Sequence, residues 1–249
     1  MLFSVTKLSK LWNIHPSGIL HVGAHDAEES GDYENAGWLP VTWVEGQTLL
    51  AEKIRARLNP DSHTVIQAFV WDSSGVILKF KQTNNSQSSS LLEFGTHASD
   101  YPNVNVQEEY SVTTSRLDDV LPISCQFDFI NLDLQGVELQ ALKGLGERVK
   151  NAKWIYSEVN KKMVYKDCTL IVDLDQYLKQ YNFRRVATRW VYGKGWGDAL
   201  YIQRGVKVPT IYLLQRFWMG LNWHIISAIT ITKQNVWELA KRFRVLDAK

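Results

Sequence analysis

The sequence has few cysteines, and their number is too small for a disulfide framework or a four-cysteine metal site. Cys125 and Cys168 are the two cysteines among 249 residues, and we interpret them as reduced, partly buried thiols. The N-terminal segment MLFSVTKLSKLWN also lacks the uninterrupted apolar run of a secretory signal. Reduced thiols together with no visible signal predict a cytoplasmic protein.

A dominant block of basic residues is missing as well. The chain has 28 lysine and arginine residues against 26 aspartate and glutamate residues, a balance that does not favour a nucleic-acid partner. No metal site is predicted, because no H-x-x-x-H or similarly close ligand pair occurs. One alternative is a divalent ion shared by Asp133 and Glu158. The composition, 45% hydrophobic and 22% charged, is that of a globular protein with a substantial core.

Apolar runs separated by polar segments predict an α/β fold. Strands such as FDFINL and KWIYSEV lack in/out alternation, which is typical of parallel strands covered on both faces by helices. The serine- and asparagine-rich stretch 81–103 is too long for a simple turn, so we predict a functional or mobile loop there. Strands are predicted near 18–22, 41–45, 63–70, 76–80, 109–114, 127–132, 153–159, 183–188 and 198–203, and helices near 47–58, 135–148 and 170–181.

The sequence pattern changes at Pro209, after which it is typical of helices. We predict one domain over 1–208, followed by a helical C-terminal extension over 209–249 with apolar helical stripes. Packing of these helices against the domain or against a second subunit, giving a homo-oligomer, is the favoured interpretation. The alternative is peripheral membrane contact, because Lys241 and Arg242 lie beside Trp237.

The stretch GILHVGAHDAEES predicts a ligand-binding loop. Its first strand ends at Gly23, and glycine lets a ligand approach the backbone closely. The loop lacks the full G-x-G-x-x-G pattern of dinucleotide enzymes. A second strand ends at Glu45, 22 positions after Gly23, close to the spacing at which an acidic residue binds a ribose diol. A structural turn with a surface glutamate would explain the same residues.

The run FDFINLDLQGVELQALKG places a second acidic residue at a strand end. Asp133 follows the strand that ends at Leu132, and Gly136 and Glu138 open the next helix. Glu138 is also a favourable charge for the helix dipole, which is a sufficient structural reason for it. Asp133 has no such reason, and a carboxylate at a strand tip is a candidate for function.

These segments resemble the FkbM family of S-adenosylmethionine-dependent methyltransferases. The matching segments are HVGAHDAEES, VTWVEG, SVTTSRLDDVL, INLDLQGVELQALKG, SEV and DALYIQ, in family order from about 18 to 203. The resemblance implies a class I methyltransferase fold, which is a Rossmann-like sheet whose last strand is antiparallel. It also implies O-methylation of a hydroxyl on a sugar, glycan or similar acceptor. One departure is Ala27, at a position where the family loop usually has glycine.

The resemblance also directs which residues we expect to bind the cofactor and which to catalyse transfer. The loop around Gly23 is expected to hold the methionine part and Glu45 the ribose, and Asp133 is expected beside the methyl group. A hydroxyl needs a base to become a good nucleophile, and the candidates are Asp133, His25 and Glu158. Ser88–Ser90 and His97 are expected on the acceptor side. The predicted cofactor-binding residues are Gly23, Ala24, His25, Glu45, Gln47, Ala68 and Asp133.

Two other functions are compatible with parts of this pattern. A nicotinamide-dependent oxidoreductase also uses a strand, a glycine turn and a later acid, although the incomplete glycine pattern argues against it. A non-catalytic, methyltransferase-like binding module is the second alternative, because the loop is altered at His25 and Ala27.

Overall fold

The computed structural model describes residues 1–208. Residues 1–10 and 14–206 form one compact unit. The predicted helical extension over 209–249 and its homo-oligomer or membrane role lie outside the described residues and stay predictions. Among residues 1–208, no helix is long and apolar enough to cross a membrane.

Ten strands within residues 1–208 form two sheets. Nine strand segments were predicted, and each has a counterpart; the run 63–70 corresponds to two strands instead of one. The strands are β1 (Ile19–Val22), β2 (Val41–Glu45), β3 (His63–Gln67), β4 (Phe69–Val70), β5 (Ile77–Thr83), β6 (Val106–Ser115), β7 (Phe129–Leu132), β8 (Trp154–Asn160), β9 (Phe183–Trp190) and β10 (Trp196–Gln203).

Seven α-helices accompany the strands in the described part of the chain. The three predicted helices correspond to α3, α6 and α7, but α6 is shorter than predicted. It begins at Glu138 because Gln135 and Gly136 have positive φ angles of 53° and 108°, which a right-handed helix does not contain. The helices are α1 (Val5–Trp12), α2 (Ser30–Asn35), α3 (Thr48–Arg57), α4 (His97–Asp100), α5 (Leu117–Val120), α6 (Glu138–Leu145) and α7 (Ile171–Gln180).

The larger sheet has the order β3-β2-β1-β7-β8-β10-β9. β1 pairs in parallel with β2 on one side and with β7 on the other, so the strand order reverses between β1 and β7. β10, the last strand, lies antiparallel between β8 and β9. The Rossmann-like sheet with an antiparallel last strand is therefore confirmed. In such sheets ligands bind beyond the carboxyl ends of the strands, where the order reverses.

A second, three-stranded sheet has the order β4-β6-β5. The predicted run 63–70 is interrupted at Ala68, whose N–H donates to the carbonyl oxygen of Glu45 (3.0 Å). β3 therefore stays beside β2, whereas β4 pairs with β6. The hydrophobic pattern does not distinguish strands of the two sheets, since both carry apolar runs.

The two faces of the larger sheet are packed differently. On one face, α5, α6 and α7 contribute apolar side chains such as Leu117, Leu142 and Leu174 to the main hydrophobic core. The opposite face carries polar and aromatic side chains, and Asn131 there donates to the hydroxyl of Tyr33 (3.0 Å). Both faces of β1, β7 and β8 are thus buried, as the missing alternation predicts.

The end of β1 is a position where glycine is required. Gly23 has φ +85°, and a Cβ built on it would lie 1.9 Å from the backbone oxygen of Asp133. Gly37 also has a positive φ, +69°, but its Cβ would meet nothing within 4 Å. Alanine variants of the two glycines therefore separate the free-energy cost of a left-handed backbone from the cost of the close contact with Asp133.

We expect Gly37→Ala to lower the free energy of unfolding by about 1 kcal/mol, the cost of a left-handed alanine. Gly23→Ala is expected to lower it by about 3 kcal/mol, because the steric contact is added to that cost. Chemical denaturation of both variants checks this difference. Equal losses would show that the ends of β1 and β7 can separate freely.

Candidate active site

A cavity of about 560 Å³ lies at the carboxyl ends of the parallel strands. Segments that follow β1, β2, β3 and β7 form its walls, together with the end of β8 and the serine-rich segment 85–91. Its volume is in the range of cofactor and small-molecule sites. The structure brings all the predicted site residues to this one cavity: Gly23, Ala24, His25, Glu45, Gln47, Ala68, Asp133 and Glu158.

The glycine loop after β1 is held against β2 by its backbone. The N–H groups of Gly23 and Ala24 both donate to the carbonyl oxygen of Val44, at 2.9 and 3.0 Å. His25 and Ala27 have positive φ angles of 47° and 50°. Such backbone favours glycine, so the alanine at position 27 keeps a conformation that suits the glycine usual in the family loop.

Glu45 organises the loops that follow β1 and β2. Its Oε2 accepts the backbone N–H of His25 (2.8 Å), and its Oε1 accepts that of Gln47 (2.8 Å). The side chain is buried, and burial raises its pKa against the opposing effect of these two N–H groups. The sequence assigned Glu45 to a ribose only. The structure adds a second role, because its two oxygens fix the backbone of both loops.

His25 connects the glycine loop to the serine-rich segment. Its Nδ1 lies 2.8 Å from Glu28 Oε1, and its Nε2 lies 2.7 Å from Ser86 Oγ. With Nδ1 donating to the carboxylate, a neutral ring accepts the Ser86 hydroxyl at Nε2. Both ring nitrogens therefore have partners, and neither is free for proton transfer in this arrangement.

The loop after β7 is fixed by the buried carboxylate of Glu138. Glu138 Oε1 accepts the backbone N–H groups of Leu134 (3.1 Å) and Gly136 (3.0 Å). Burial raises the pKa of Glu138 to about 7. The sequence prediction explained Glu138 by the helix dipole. The observed contacts show that it also determines the shape of the loop that carries Asp133.

Gln135 joins two of the predicted catalytic residues. Its side-chain nitrogen donates to Asp133 Oδ1 (2.7 Å) and to Glu158 Oε2 (3.0 Å). The hydroxyl of Tyr165 donates to Gln135 Oε1 (2.9 Å). Asp133 and Glu158 therefore meet at a single amide group.

The cavity is strongly acidic. Asp133 is open to the cavity, whereas Glu158 is 6% exposed. Ionising both Asp133 and Glu158 would be unfavourable, because two unit charges about 5 Å apart repel by about 3 kcal/mol at an effective dielectric constant of about 20. The described lining includes no lysine and no arginine, and its acidic members are Glu28, Glu29, Glu45, Asp133, Glu158 and Asp198.

The two central carboxyl groups respond differently to this environment. Burial, together with the charge of Asp198, raises the pKa of Asp133 to about 6. Burial, together with the charges of Asp133 and Glu138, raises the pKa of Glu158 well above its usual range. Asp133 is thus the one of the two that is largely ionised at neutral pH.

Asp198 lies opposite Glu158 in the antiparallel pairing of β10 with β8. Its Oδ2 accepts the backbone N–H of Leu2 (2.6 Å) and the hydroxyl of Tyr156. Asp198 therefore adds a negative charge to the site, while the protein itself supplies hydrogen-bond donors to its carboxylate. Nearby, the ammonium group of Met1 lies 3.1 Å from Glu29 Oε1.

The serine-rich segment covers the other side of the cavity. Ser90 Oγ donates to the carbonyl oxygen of Gln135 (3.0 Å), and Ser86 contacts His25. His97 lines this side with its Nδ1 buried and without a hydrogen-bond partner, and burial lowers its pKa. Tyr101, Tyr165 and Trp196 complete an aromatic wall there. The structure places Ser88–Ser90 and His97 in the cavity lining, next to the site, as expected.

Sequence reasoning missed Gln135, Tyr165 and Asp198 as site residues. Gln135 lies within the run FDFINLDLQGVELQALKG. Asp198 is an acidic residue in an otherwise apolar strand, and this was the available signal for it. Tyr165 reaches the site from the loop between β8 and α7, for which no sequence signal exists.

A metal ion shared by Asp133 and Glu158 has no structural support. Among residues 1–208, no group of three or more histidine, cysteine, aspartate or glutamate side chains is arranged to hold a metal. The facing oxygens of Asp133 and Glu158 share the Gln135 amide instead.

Comparison with known proteins places the chain in a family. No curated protein matches its sequence. The model of the methyltransferase FkbM domain matches residues 21–185, which include the end of β1, all of β2, β7 and β8, and the cavity residues that follow these strands.

Several solved structures are similar to this chain at low sequence identity. Magnesium protoporphyrin IX methyltransferase from Synechocystis PCC 6803 has a TM-score of 0.42 and 10% identity over 74% of this chain and 69% of its own. A protein of the NADB-Rossmann superfamily from Streptococcus agalactiae has a TM-score of 0.47 and 12% identity over 81% and 69%. The glycopeptide N-methyltransferase MtfA has a TM-score of 0.40 and 10% identity over 76% and 82%. On the match of the family model, the chain belongs to the FkbM methyltransferase family, and its cofactor is S-adenosylmethionine.

Proposed function

We propose that the protein transfers a methyl group from S-adenosylmethionine to a hydroxyl oxygen of a sugar, a glycan or a similar small molecule. The observation that carries this proposal is the carboxylate of Asp133, which faces the cavity at the end of β7 with a pKa of about 6. A base whose pKa lies near the working pH is suited to remove a hydroxyl proton.

The residues present fit the cofactor. The loop at Gly23 has no side chain on the β1 tip, and Glu45 lies buried beside it at the end of β2. The acidic lining without lysine or arginine suits a ligand that carries a sulfonium and an ammonium group. We therefore assign the methionine part to Gly23, Ala24 and His25, and the ribose to Glu45.

The cofactor supplies the reactive methyl group on a sulfonium, and the protein supplies alignment and proton transfer. Asp133 accepts the proton of the acceptor hydroxyl at its carboxylate. Glu158 is deeper and keeps its own proton, and His25 has both ring nitrogens engaged. Among the three candidates, the geometry thus favours Asp133 as the base.

The acceptor side favours an uncharged, polyhydroxylated ligand. Hydroxyl groups of the serine-rich segment and the aromatic ring of Trp196 offer neutral contacts. A phosphate or carboxylate on the acceptor would meet Glu158 and Asp198, and the described lining has no lysine or arginine to compensate. The ammonium group of Met1, which also lines the cavity, is already paired with Glu29. A neutral sugar is therefore the acceptor class that we propose.

Isothermal titration calorimetry with S-adenosylmethionine and with NAD separates this proposal from the oxidoreductase alternative, because a methyltransferase binds S-adenosylmethionine and an oxidoreductase binds NAD. A non-catalytic module is distinguished by a second assay, in which it transfers no methyl group. Incubation with methyl-labelled S-adenosylmethionine and a panel of neutral sugars then tests transfer itself.

The role of Glu45 is tested with two ligands. We expect Glu45→Ala to weaken binding of S-adenosylhomocysteine by about 1.5–3 kcal/mol, the loss of charge-assisted hydrogen bonds to the ribose. Because Glu45 also fixes the loops, the same titration is made with the 2′-deoxyribose analogue of that ligand. Wild-type protein is expected to prefer the ribose form, and the variant is expected to lose that preference. An unchanged preference would leave Glu45 with the loop-fixing role alone.

The role of Asp133 is tested by an isosteric change. Asp133→Asn keeps an oxygen that can accept from Gln135, so the fold is preserved, but it removes the base. We expect turnover on a neutral sugar acceptor to fall about 10²–10⁴-fold, which corresponds to about 2.7–5.5 kcal/mol in the barrier. His25→Ala is the comparison: weaker cofactor binding is expected, without a comparable loss of turnover at saturating cofactor. Near wild-type turnover by Asp133→Asn would remove the catalytic assignment.

A further inference from the structure

We propose that Gln135 is a positioning residue that keeps Asp133 and Glu158 in different protonation states, with Asp133 ionised and Glu158 protonated. This inference rests on the proposed function in one respect, that Asp133 is the group that takes the acceptor proton. The amide contacts themselves do not depend on which acceptor is methylated.

The side-chain amide of Gln135 has one N–H for each carboxyl group. Its nitrogen lies 2.7 Å from Asp133 Oδ1 and 3.0 Å from Glu158 Oε2. The opposite orientation would place Oε1 against two carboxyl oxygens, which requires both groups to be protonated. The hydroxyl of Tyr165 donates to Oε1 on the other side, 2.9 Å away. The orientation with nitrogen towards the carboxyl groups is therefore the one that allows Asp133 to be ionised.

The backbone of Gln135 is held in place from both sides. Its φ of +53° lies in the left-handed region, which is costly for a residue with a Cβ. Ser90 Oγ donates to its carbonyl oxygen, and Glu138 binds the N–H groups of both neighbours, Leu134 and Gly136. A strained conformation fixed by two side chains, Ser90 and Glu138, indicates that the position of this amide is needed.

The surroundings of the two carboxyl groups are unequal. The carboxyl group of Asp133 lies deep in the protein but opens onto the cavity, whereas Glu158 is buried on β8, opposite Asp198 of β10. Glu158 faces the carboxyl groups of Asp133, Glu138 and Asp198. Asp133 faces Asp198 and Glu29, but also the ammonium group of Met1. A proton shared between neighbouring carboxyl groups resides on the more buried one, because burial penalises the ionised form.

The N–H of Gln135 acts most strongly on the group that is ionised. A hydrogen bond to a carboxylate stabilises the charged form and lowers its pKa, and Gln135 acts in this direction on both Asp133 and Glu158. The shorter contact, 2.7 Å against 3.0 Å, is the one to Asp133, and for Glu158 burial and three neighbouring carboxyl groups outweigh the amide. Without the amide, burial and Asp198 would raise the pKa of Asp133 further. The base would then be protonated over more of the neutral range.

The test follows the carboxyl groups directly. Full-length protein labelled with ¹³C at aspartate and glutamate carboxyl carbons is titrated by NMR with S-adenosylhomocysteine present. Asp133→Asn and Glu158→Gln assign the two signals. In wild-type protein we expect Asp133 to titrate near pH 6, while Glu158 remains protonated through neutral pH.

The variant Gln135→Leu removes both donors at similar size. We expect the Asp133 midpoint to move to higher pH, and the acid limb of the activity–pH profile to move with it. Gln140→Leu is the matched control, because Gln140 lies on α6 and its Oε1 accepts from Thr169 Oγ1. The midpoint of Asp133 is expected to be unchanged in that variant.

An Asp133 midpoint that is the same in wild type and Gln135→Leu would overturn the inference, as would a Glu158 that ionises before Asp133. If Gln135→Leu yields no folded protein, Tyr165→Phe makes the same test from the other end of the amide, and the expected shift is again upward. Failure of the proposed function gives a different result, in which the midpoints shift as expected but no hydroxyl is methylated.

Discussion

The close approach of β1 and β7 at their carboxyl ends is the constraint on which the site depends. The backbone N–H of Asp133 donates to the carbonyl oxygen of Val22 at 3.0 Å, and the carbonyl oxygen of Asp133 occupies the space of a side chain at Gly23. Since the two strand ends touch, the glycine loop and the Asp133 carboxylate lie on the same wall of the cavity. This contact is what places a candidate base beside the loop assigned to the cofactor.

Buried carboxylates fix the loops around this contact. Glu45 accepts N–H groups from the segments after β1 and β2, and Glu138 accepts N–H groups on both sides of Gln135. Backbone donors compensate in part for burying these charges, which would otherwise be costly. Burial, together with the charge of Asp198, raises the pKa of Asp133 to about 6. Burial of carboxyl groups thus has two consequences in this site: Glu45 and Glu138 fix the loops, and the pKa of Asp133 lies near neutrality.

Much of this arrangement is readable in the sequence. Asp133, Gly23 and Glu45 follow from the rule that parallel strands end at one edge, and the strands themselves follow from apolar runs. Asp198 does not follow from that rule, because β10 is antiparallel and its beginning, not its end, reaches the site. Gln135 and Tyr165 depend on contacts between segments distant in sequence. Helices such as α2 and α5 are too short to show a periodic pattern.

The central claim is that the cavity methylates oxygen on a neutral acceptor. The most direct measurement is NMR of the product formed from S-adenosylmethionine with a ¹³C-labelled methyl group and a panel of neutral sugars and glycans. The account predicts a labelled methyl carbon bonded to oxygen, which is a methyl ether of one hydroxyl. A labelled methyl on nitrogen or carbon, or transfer only to phosphorylated or carboxylated acceptors, would contradict it.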